Sequence, residues 1–491
     1  MSSSDLYKIF AKEQLEMAQR SNLGVPLGNL IISGIGQADD TALVSNNLYH
    51  LKYLLELTKS YCSKHFVDLT AEKTRLLLYR PSGKQADIMD HIPDDIININ
   101  GQCITFTDAA EHVGVIRSTS GNRPAILARL TAHRRSLASI LHTGLARGHR
   151  GNPASSIQLH MMYCCPVLFS GIATLVLSNK EIQMVEKHYA DTIRRLLRLN
   201  KGTPRAVTYF LAGSLPGIAM IHMRQLSIFG MITRLDGNIL HTHAVNYFLS
   251  KTISKHSWFH QIRSWCLLYG LPHPIDLLNS PLSKESFKSL VKKNIVSYWE
   301  NLLRSEASIL PSLQYFHPSY MSLVRPHSLW TSAGHSPAKI FKATVQALML
   351  SGRYPTEALI KHWSPNKTGI CQLSSSCSVQ EDISHILTGC IALDDVRINL
   401  RRFTEVYIFK LRQDSDSDLT GKICNLLTIL CNPSYPTFCQ FLLDCASLPE
   451  VISLTQELGK VALYHLHEVA RTWIYVLHRE RLKLLGRWRQ T

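Results

Sequence analysis

The 491-residue sequence lacks the features that mark several classes of protein. Its first segment, MSSSDLYKIFAKEQLEMAQR, has no apolar core behind a basic end, so it does not resemble a secretory signal. The 12 cysteines follow no regular framework, which is typical of a reducing compartment and excludes a small disulfide scaffold. With 45% hydrophobic and 18% charged residues, the composition also excludes a disordered tail and a collagen-like fibre. We therefore expect an intracellular protein, in the nucleus or the cytoplasm, that is not secreted.

Acidic residues are scarce, because 36 Asp and Glu stand against 53 Lys and Arg, which gives a net charge of +17. The excess of basic residues is distributed unevenly along the chain. Residues 1–120 carry 11 basic and 14 acidic side chains, a net charge of −3, whereas residues 121–210 carry 13 and 3, a net charge of +10. RNA or DNA is therefore predicted as a partner of the second segment and not of the first. The alternative is that these basic side chains only form the solvated faces of helices.

One uncharged stretch, from Gly151 to Asn179, has to be weighed as a membrane span. Its most apolar part, Met161–Leu177, is nearly long enough to cross a bilayer. However, it contains Pro166, and no belt of aromatic residues flanks it. We predict a buried helix pair that is broken near Pro166, and no membrane partner.

The hydrophobic pattern predicts an α+β fold. After an N-terminal helix, LIISGIG (Leu30–Gly36) and TALVS are two β-prone runs around an Asp-Asp turn, as in a hairpin. Leucines at helical spacing predict a helix from Leu48 to about His65. Further strands are predicted at Arg75–Tyr79, Ile96–Asn100 and Cys103–Thr107, and helices dominate after Gly114.

The clearest of the later helices has an apolar stripe and a basic opposite face. The stripe consists of Ile182, Val185, Tyr189, Ile193 and Leu196. Gly202 and Pro204 end this helix. In the basic helical region, six side chains are predicted to contact nucleic-acid phosphates: Arg129, Arg134, Arg135, Arg194, Arg195 and Arg198.

A Cys/His cluster, CQLSSSCSVQEDISHILTGC, has the ligand types of a zinc site. Cys371, Cys377, His385 and Cys390 provide three thiols and one imidazole within 20 residues, which is enough to close a tetrahedron around Zn²⁺. The alternative is a set of buried free cysteines with a core histidine. Other cysteines, such as Cys164, Cys165, Cys431 and Cys439, are interpreted as core residues.

Three groups of motifs, in one order along the chain, resemble reverse transcriptases of non-LTR (LINE-type) retrotransposons. The first comprises GVPLGNLIISGIGQADDTALVSNN, AEKTRLLLY and FTDAAEHVGVIRS. The second, KEIQMVEKHYADTIRRLLRLNKGTPRAVTYFLAGSLPGIAMIHMRQLSIFGMI, is similar to the thumb of that family, and the third is the Cys/His cluster, which is similar to its C-terminal knuckle. The resemblance implies a partial palm, formed by a small antiparallel sheet with a helix, followed by a mostly α-helical thumb and C-terminal region with a small zinc knuckle.

In that family an Ala-Asp-Asp motif supplies aspartates for a two-metal polymerase reaction. The resemblance therefore assigns Asp39 and Asp40 as catalytic Mg²⁺ ligands, although Gln37 replaces an aromatic residue that the family usually has. Lys73, in a motif that resembles Glu-Lys-Thr, is assigned a place near the phosphates of the incoming nucleotide as a proton donor. The Glu111–Gly114 segment matches the family's primer-grip hairpin.

The family's other catalytic aspartate lies on a strand before this motif. Only 38 residues precede Asp39, and their carboxylates, Asp5, Glu13 and Glu16, lie on a predicted helix. The sequence is therefore expected to be the C-terminal part of such an enzyme, truncated before the Ala-Asp-Asp motif. Its polymerase activity is expected to be lost, unless another chain or an upstream segment completes the palm.

Five regions are predicted: a partial palm (1–118), a basic thumb-like region (119–235), a helical connector (236–365), the zinc knuckle (366–395) and a C-terminal helical region (396–491). Three functions remain open at this point. The favoured one is a retrotransposon-derived protein that binds RNA or DNA and contains structural Zn²⁺. The others are an active RNA-directed DNA polymerase that uses Mg²⁺, and a purely structural helical protein.

Overall fold

The computed structural model describes most of the chain. The described residues are 3–27, 30–37, 40–79, 97–104, 106–142, 151–250, 256–364, 366–414, 418–434, 437–458 and 460–487. Asp39, one of the two aspartates predicted as metal ligands, lies outside them. The described part is mostly helical with small antiparallel sheets, which confirms the broad α+β prediction.

In the described part of the chain, eight short strands form four antiparallel hairpins. The pairs are β1 (Val25–Leu27) with β2 (Leu30–Ile32), β3 (Gly34–Gln37) with β4 (Asp40–Leu43), β5 (Asn98–Ile99) with β6 (Gln102–Cys103), and β7 (Ala109–His112) with β8 (Val115–Ser118). In β3, Gly36 faces the N-terminal helix so closely that an added Cβ would lie 3.0 Å from Leu15 Cδ1. The glycine therefore allows this hairpin to lie against the helix.

Twenty α-helices account for most of the other residues that the structure describes. They are α1 (Ser3–Arg20), α2 (Leu48–Lys64), α3 (Arg123–His142), α4 (Pro153–Leu159), α5 (Cys165–Phe169), α6 (Asn179–Leu196), α7 (Arg205–Ala212), α8 (Gly217–Ile232), α9 (Ile239–Leu249), α10 (Trp258–Leu268), α11 (Pro274–Asn279), α12 (Lys284–Ile309), α13 (Ser328–Thr331), α14 (Pro337–Leu350), α15 (Glu357–Trp363), α16 (Asp394–Asp414), α17 (Asp418–Leu430), α18 (Phe438–Asp444), α19 (Pro449–Leu458) and α20 (Lys460–Leu484).

The predicted α2 and α6 are confirmed, and both follow from local sequence. Asn47 caps α2 by accepting hydrogen bonds from the N–H groups of Tyr49 and His50. In α6, the whole apolar stripe that the sequence predicts is buried. Burial of an apolar face in this way supplies most of the stability of a helix within a protein.

Two predictions about local structure were wrong. Among the described residues, Arg75–Tyr79 forms no ladder and contributes one isolated bridge, between Leu76 and Phe106. The stretch around Pro166 is one helical run over 153–169 with a π turn at His160–Cys164, and not a broken pair. In this turn Cys165 donates its N–H to the carbonyl of His160, five residues back. The wide turn precedes a proline that has no N–H to donate, and such π turns occur inside otherwise regular helices.

The chain divides into two compact units. The first comprises residues 1–132, 167–185 and 220–295, and the second comprises residues 133–166, 186–219 and 296–491. A small core in the first unit contains Leu55, Ile97, Ile99 and Ile104. In the second unit α20 packs against α14, α16 and α18, and it buries Trp473 fully while the indole N–H donates to Thr404. The candidate sites below lie within one unit or the other.

A membrane-spanning helix was also sought among the described residues. None of their single helices has both the length and the apolar composition for a bilayer crossing. Only the pair Arg205–Ala212 and Gly217–Ile232, bent by 62°, meets these two criteria together.

Candidate functional site

Four side chains of the second unit converge on one point in the geometry of a metal site. The ligand atoms of Cys371, Cys377, His385 and Cys390 all lie within 4.8 Å of one another, and all four residues are buried. No other group of three or more such residues meets this criterion in the described part of the chain. The cluster can therefore hold a metal ion such as zinc.

Two distances within the cluster match the edges of a tetrahedron around zinc. The sulfurs of Cys371 and Cys390 are 3.8 Å apart, and Cys377 Sγ lies 3.4 Å from His385 Nε2. With Zn–S bonds of ~2.3 Å and Zn–N bonds of ~2.0 Å, a regular tetrahedron places two sulfurs ~3.8 Å apart and a sulfur and a nitrogen ~3.5 Å apart. The first separation also excludes a disulfide, and all three cysteines are free thiols.

Local backbone structure explains how each pair of ligands is placed. Cys371 lies on one arm of a hairpin-like turn, because its N–H donates to the carbonyl of Val379 at 2.9 Å, and Cys377 lies within the turn. His385 and Cys390 are the two ends of a second π turn, in which the Cys390 N–H donates to the His385 carbonyl at 2.8 Å. The side chain of Asp382 accepts from the His385 N–H at 2.7 Å and fixes the start of this turn.

The surroundings of the thiols favour a cation. Burial raises the pKa of the Cys371 thiol to about 12, and it also raises the pKa of the Cys390 thiol. The reason is that a thiolate without a nearby cation would lose its hydration in the protein interior. The backbone N–H groups of Leu373 and Ala392 donate to the two sulfurs and act in the opposite direction. A divalent cation would offset the cost of burying the thiolates more than these two N–H groups do, since coordination stabilises a thiolate directly.

A buried ion pair and the hydrogen bonds of a buried arginine tie the cluster to the core of the second unit. Arg397 donates to the carbonyls of Ile386 and Cys390, at the two sides of the second π turn. Glu381, in the chain between the two ligand pairs, forms a fully buried salt bridge of 2.5 Å with Arg481 of α20. Outer contacts of this kind orient metal ligands and resist their rearrangement.

The six arginines that are predicted to bind phosphates differ in their exposure and in their hydrogen-bond partners. Arg134, Arg135 and Arg195 are exposed. Arg194 donates to Asp191 at 2.9 Å and to the Thr203 carbonyl at 3.0 Å. Thus the three exposed arginines present their charge to solvent, while Arg194 stabilises the C-terminal end of α6.

The remaining two arginines of that set are half-buried. Arg198 has a left-handed backbone (φ 59°), donates to the Gly151 carbonyl at 2.7 Å, and has its pKa lowered by burial. Arg129 lies in the first unit, with its guanidinium near the turn of the β7–β8 hairpin at Gly114. Because of its hydrogen bond to Gly151, Arg198, like Arg194, stabilises the chain at the end of α6.

A row of three histidines near Arg134 was not found from the sequence. His133 Nδ1 lies 2.9 Å from His188 Nε2, and His133 Nε2 lies 2.9 Å from His160 Nε2, so α3, α6 and the first π turn are joined by hydrogen bonds. Burial lowers the pKa of His133 to about 4 and of His160 to about 3. The three histidines are 27 and 28 residues apart in sequence, so no local pattern could have revealed the row.

The predicted catalytic residues of the first unit lie on exposed positions. Asp40 begins β4 and is exposed, at the end of the β3–β4 hairpin that the sequence predicts. Lys73 is exposed in a single 3₁₀ turn, Ala71–Lys73. Among the described contacts, no hydrogen bond or ion pair joins the two.

The buried cysteines outside the cluster agree with the core interpretation. Cys164, Cys165 and Cys431 are buried and Cys439 is half-buried.

Comparisons of the chain with protein-family models, with curated proteins and with solved structures find no match.

Proposed function

We propose that this chain is a nucleic-acid-binding protein derived from a non-LTR retrotransposon reverse transcriptase, with its binding surface on the parts of α3 and α6 that belong to the second unit, from His133 and from Glu186 onward. The observation that carries the proposal is a hydrogen bond that joins the two helices next to the exposed Arg134 and Arg135. His133 of α3 hydrogen-bonds to His188 of α6 at 2.9 Å, and Arg134 is close enough to lower the pKa of His188.

The basic side chains continue along α6 from that contact. Arg195 is seven residues after His188, so it lies two turns further along the same helix face. Lys187 is also exposed on this helix. Exposed cations on two joined helices can neutralise phosphates without reading base identity, and their binding weakens steeply as salt increases.

The Cys₃His cluster is proposed to be a structural zinc knuckle beside this function. Three thiolates and one imidazole suit Zn²⁺ better than Mg²⁺ or Ca²⁺, which prefer oxygen ligands. Metal analysis of the purified chain should find one zinc per chain. Iron or no metal at stoichiometric level would contradict this assignment.

The test of nucleic-acid binding is the salt dependence of affinity, measured by fluorescence anisotropy with labelled single-stranded RNA and double-stranded DNA. Replacing Arg134 and Arg135 with Ala removes two cations, so the slope of log K against log salt should shrink by about 1.4 to 1.8. The control is the Lys292→Ala, Lys293→Ala pair, which removes two exposed cations from α12. Equal slopes for the two double variants would contradict the proposed surface.

A second candidate is RNA-directed DNA polymerase, which the β3–β4 hairpin with Asp40 at the start of a strand favours. A two-metal site needs carboxylates on fixed backbone, and a strand end supplies one. We propose that another chain or an upstream segment would complete such a palm. Primer extension on an RNA template with Mg²⁺ that is abolished in both Asp39→Ala and Asp40→Ala would support this candidate.

A further inference from the structure

The solvent face of α16 carries apolar side chains along most of its length. Leu400 and Thr404 are buried on the inner face, where α16 packs against α17 and α20 of the second unit. On the opposite face, Ile398, Val406 and Phe409 are 47%, 53% and 61% exposed. A single exposed apolar residue is ordinary, but a row of three on the outer face of one helix indicates a contact with another molecule.

The exposed side chains of this face follow the spacing of a coiled-coil seam. Counted from Asp395, the steps are three, four, three, four and three residues, which is the pattern of a and d positions in a heptad repeat. The seam consists of six exposed residues: Asp395, Ile398, Arg402, Glu405, Phe409 and Arg412. Two of these positions are apolar and four are charged, so the charges restrict which partner the seam can accept.

The seam is complementary to a second copy of itself that runs in the opposite direction. A two-fold axis at the middle of α16 brings each a position opposite a d position of the second copy, as in an isologous contact. The three resulting pairs, each formed twice, are Ile398 with Phe409, Arg402 with Glu405, and Asp395 with Arg412. Every apolar side chain therefore meets an apolar one, and every charge meets its opposite.

The same seam is unfavourable in a parallel pair. In register, Arg402 would face Arg402 of the second copy and Glu405 would face Glu405, so like charges would meet at all four charged positions. The charges are also available for a partner. Within the described part of the chain, Arg402, Glu405 and Arg412 take part in no ion pair.

We propose that two copies of this chain associate through α16 in antiparallel orientation. The two Ile398–Phe409 layers remove the apolar row from water, and the charged layers fix the direction and the register. A seam of six layers is short. The dimer is therefore expected to form reversibly at micromolar concentration and not to be a permanent one.

The first experiment is sedimentation equilibrium of the full chain without nucleic acid, over about 1–100 µM. Arg402→Glu places like charges in two layers and should weaken dimerisation about tenfold or more. Adding Glu405→Arg to that variant exchanges the two charges and should restore the affinity to within about threefold of the unchanged chain.

The control is Lys410→Glu, which changes the net charge by the same amount at an exposed position outside the seam. Because the chain has a net charge of +17, this change alone should not weaken association. Equal dimer affinities of the Arg402→Glu and Lys410→Glu chains would overturn the proposal. So would a chain that stays monomeric over the whole range, which would leave the row for a different protein.

The second experiment tests the orientation by disulfide crosslinking with oxidised glutathione. Ile398→Cys and Phe409→Cys are made separately in a chain whose exposed Cys103 is replaced by Ser. In an antiparallel pair, position 398 of one copy lies about 16 Å along the helix axis from position 398 of the other, so neither variant should crosslink alone. A mixture of the two should crosslink. Crosslinking of either variant alone as fast as the mixture would overturn the proposal.

This dimer does not depend on the proposed nucleic-acid surface of α3 and α6. The Arg134→Ala, Arg135→Ala double variant should leave dimer affinity unchanged, since neither position is part of the α16 seam. Association is also measured without nucleic acid. Failure of either proposal is therefore recognised without the other.

Discussion

The buried histidine row predicts that the second unit loses stability in weak acid. Burial lowers the pKa of His133 to about 4 and of His160 to about 3, and it also lowers the pKa of His188. The charge of Arg134 acts in the same direction on His133 and His188, while Asp191 acts in the opposite direction on His188. A histidine whose pKa is lower in the folded chain binds its proton preferentially when unfolded. Its contribution to stability is therefore complete above pH 6.5 and is lost as the pH falls from 6.5 towards 4 and 3.

The size of the effect follows from the lowered pKa values of His133 and His160. Between pH 7 and pH 5, a histidine with an unfolded pKa of ~6.5 and a folded pKa near 4 or 3 loses about 2 kcal/mol of stability. His133 and His160 together thus give a loss of about 4 kcal/mol if they titrate independently. That is a large fraction of the 5–15 kcal/mol by which folded proteins are usually stable.

The test replaces His160 with Gln, which does not titrate and can still bond to His133 and Cys165 on either side. Urea unfolding of both chains is measured at pH 7, 6 and 5. The loss of unfolding free energy between pH 7 and 5 should be about 2 kcal/mol smaller in the variant. His335→Leu, which removes an exposed histidine, is the control. A pH dependence that is the same in the variant and the unchanged chain would refute the reasoning, since acid effects at other sites are common to both.

Three further predictions follow from single contacts. Cys377→Ser should abolish stoichiometric zinc in metal analysis and lower the melting temperature, because three ligands hold zinc poorly; retained zinc would contradict the ligand assignment. Arg481→Met should cost about 3–5 kcal/mol in urea unfolding, since it leaves the Glu381 charge buried without its partner, and a loss below 1 kcal/mol would contradict this. Gly36→Val should lower the melting temperature, because its side chain meets Leu15, whereas an unchanged value would show that α1 does not lie against β3.

What the sequence could predict here was local. The β3–β4 hairpin, α2 and the stripe of α6 each follow from fewer than 20 consecutive residues, and the structure confirms them. The convergence of the four Cys/His ligands also follows from a 20-residue segment. Two turns within that segment bring the ligands together, so their spacing alone was informative.

What the sequence could not predict depends on distant residues. Arg75–Tyr79 has strand-like composition, but within the described part of the chain it forms only the bridge of Leu76 to Phe106, and a strand needs a ladder. The π turn before Pro166 carries His160, whose partner His133 is 27 residues earlier. Glu381 and Arg481 are separated by 100 residues. In each case the outcome depends on which surfaces meet in the folded chain.

The coordination of the Cys₃His cluster limits what the metal can do. A zinc ion held by all four buried side chains would have no position left for a water molecule or a substrate, which is the arrangement of a structural and not a catalytic zinc. Its consequences are therefore mechanical. The metal would fix the two turns on either side of Glu381, and Glu381 is bonded to Arg481 near the end of α20. Zinc removal should then loosen the C-terminal part of α20 before the rest of that helix, since its packing against α14 and α18 does not include the cluster. Hydrogen exchange that rises uniformly along α20 after chelation would exclude this local coupling.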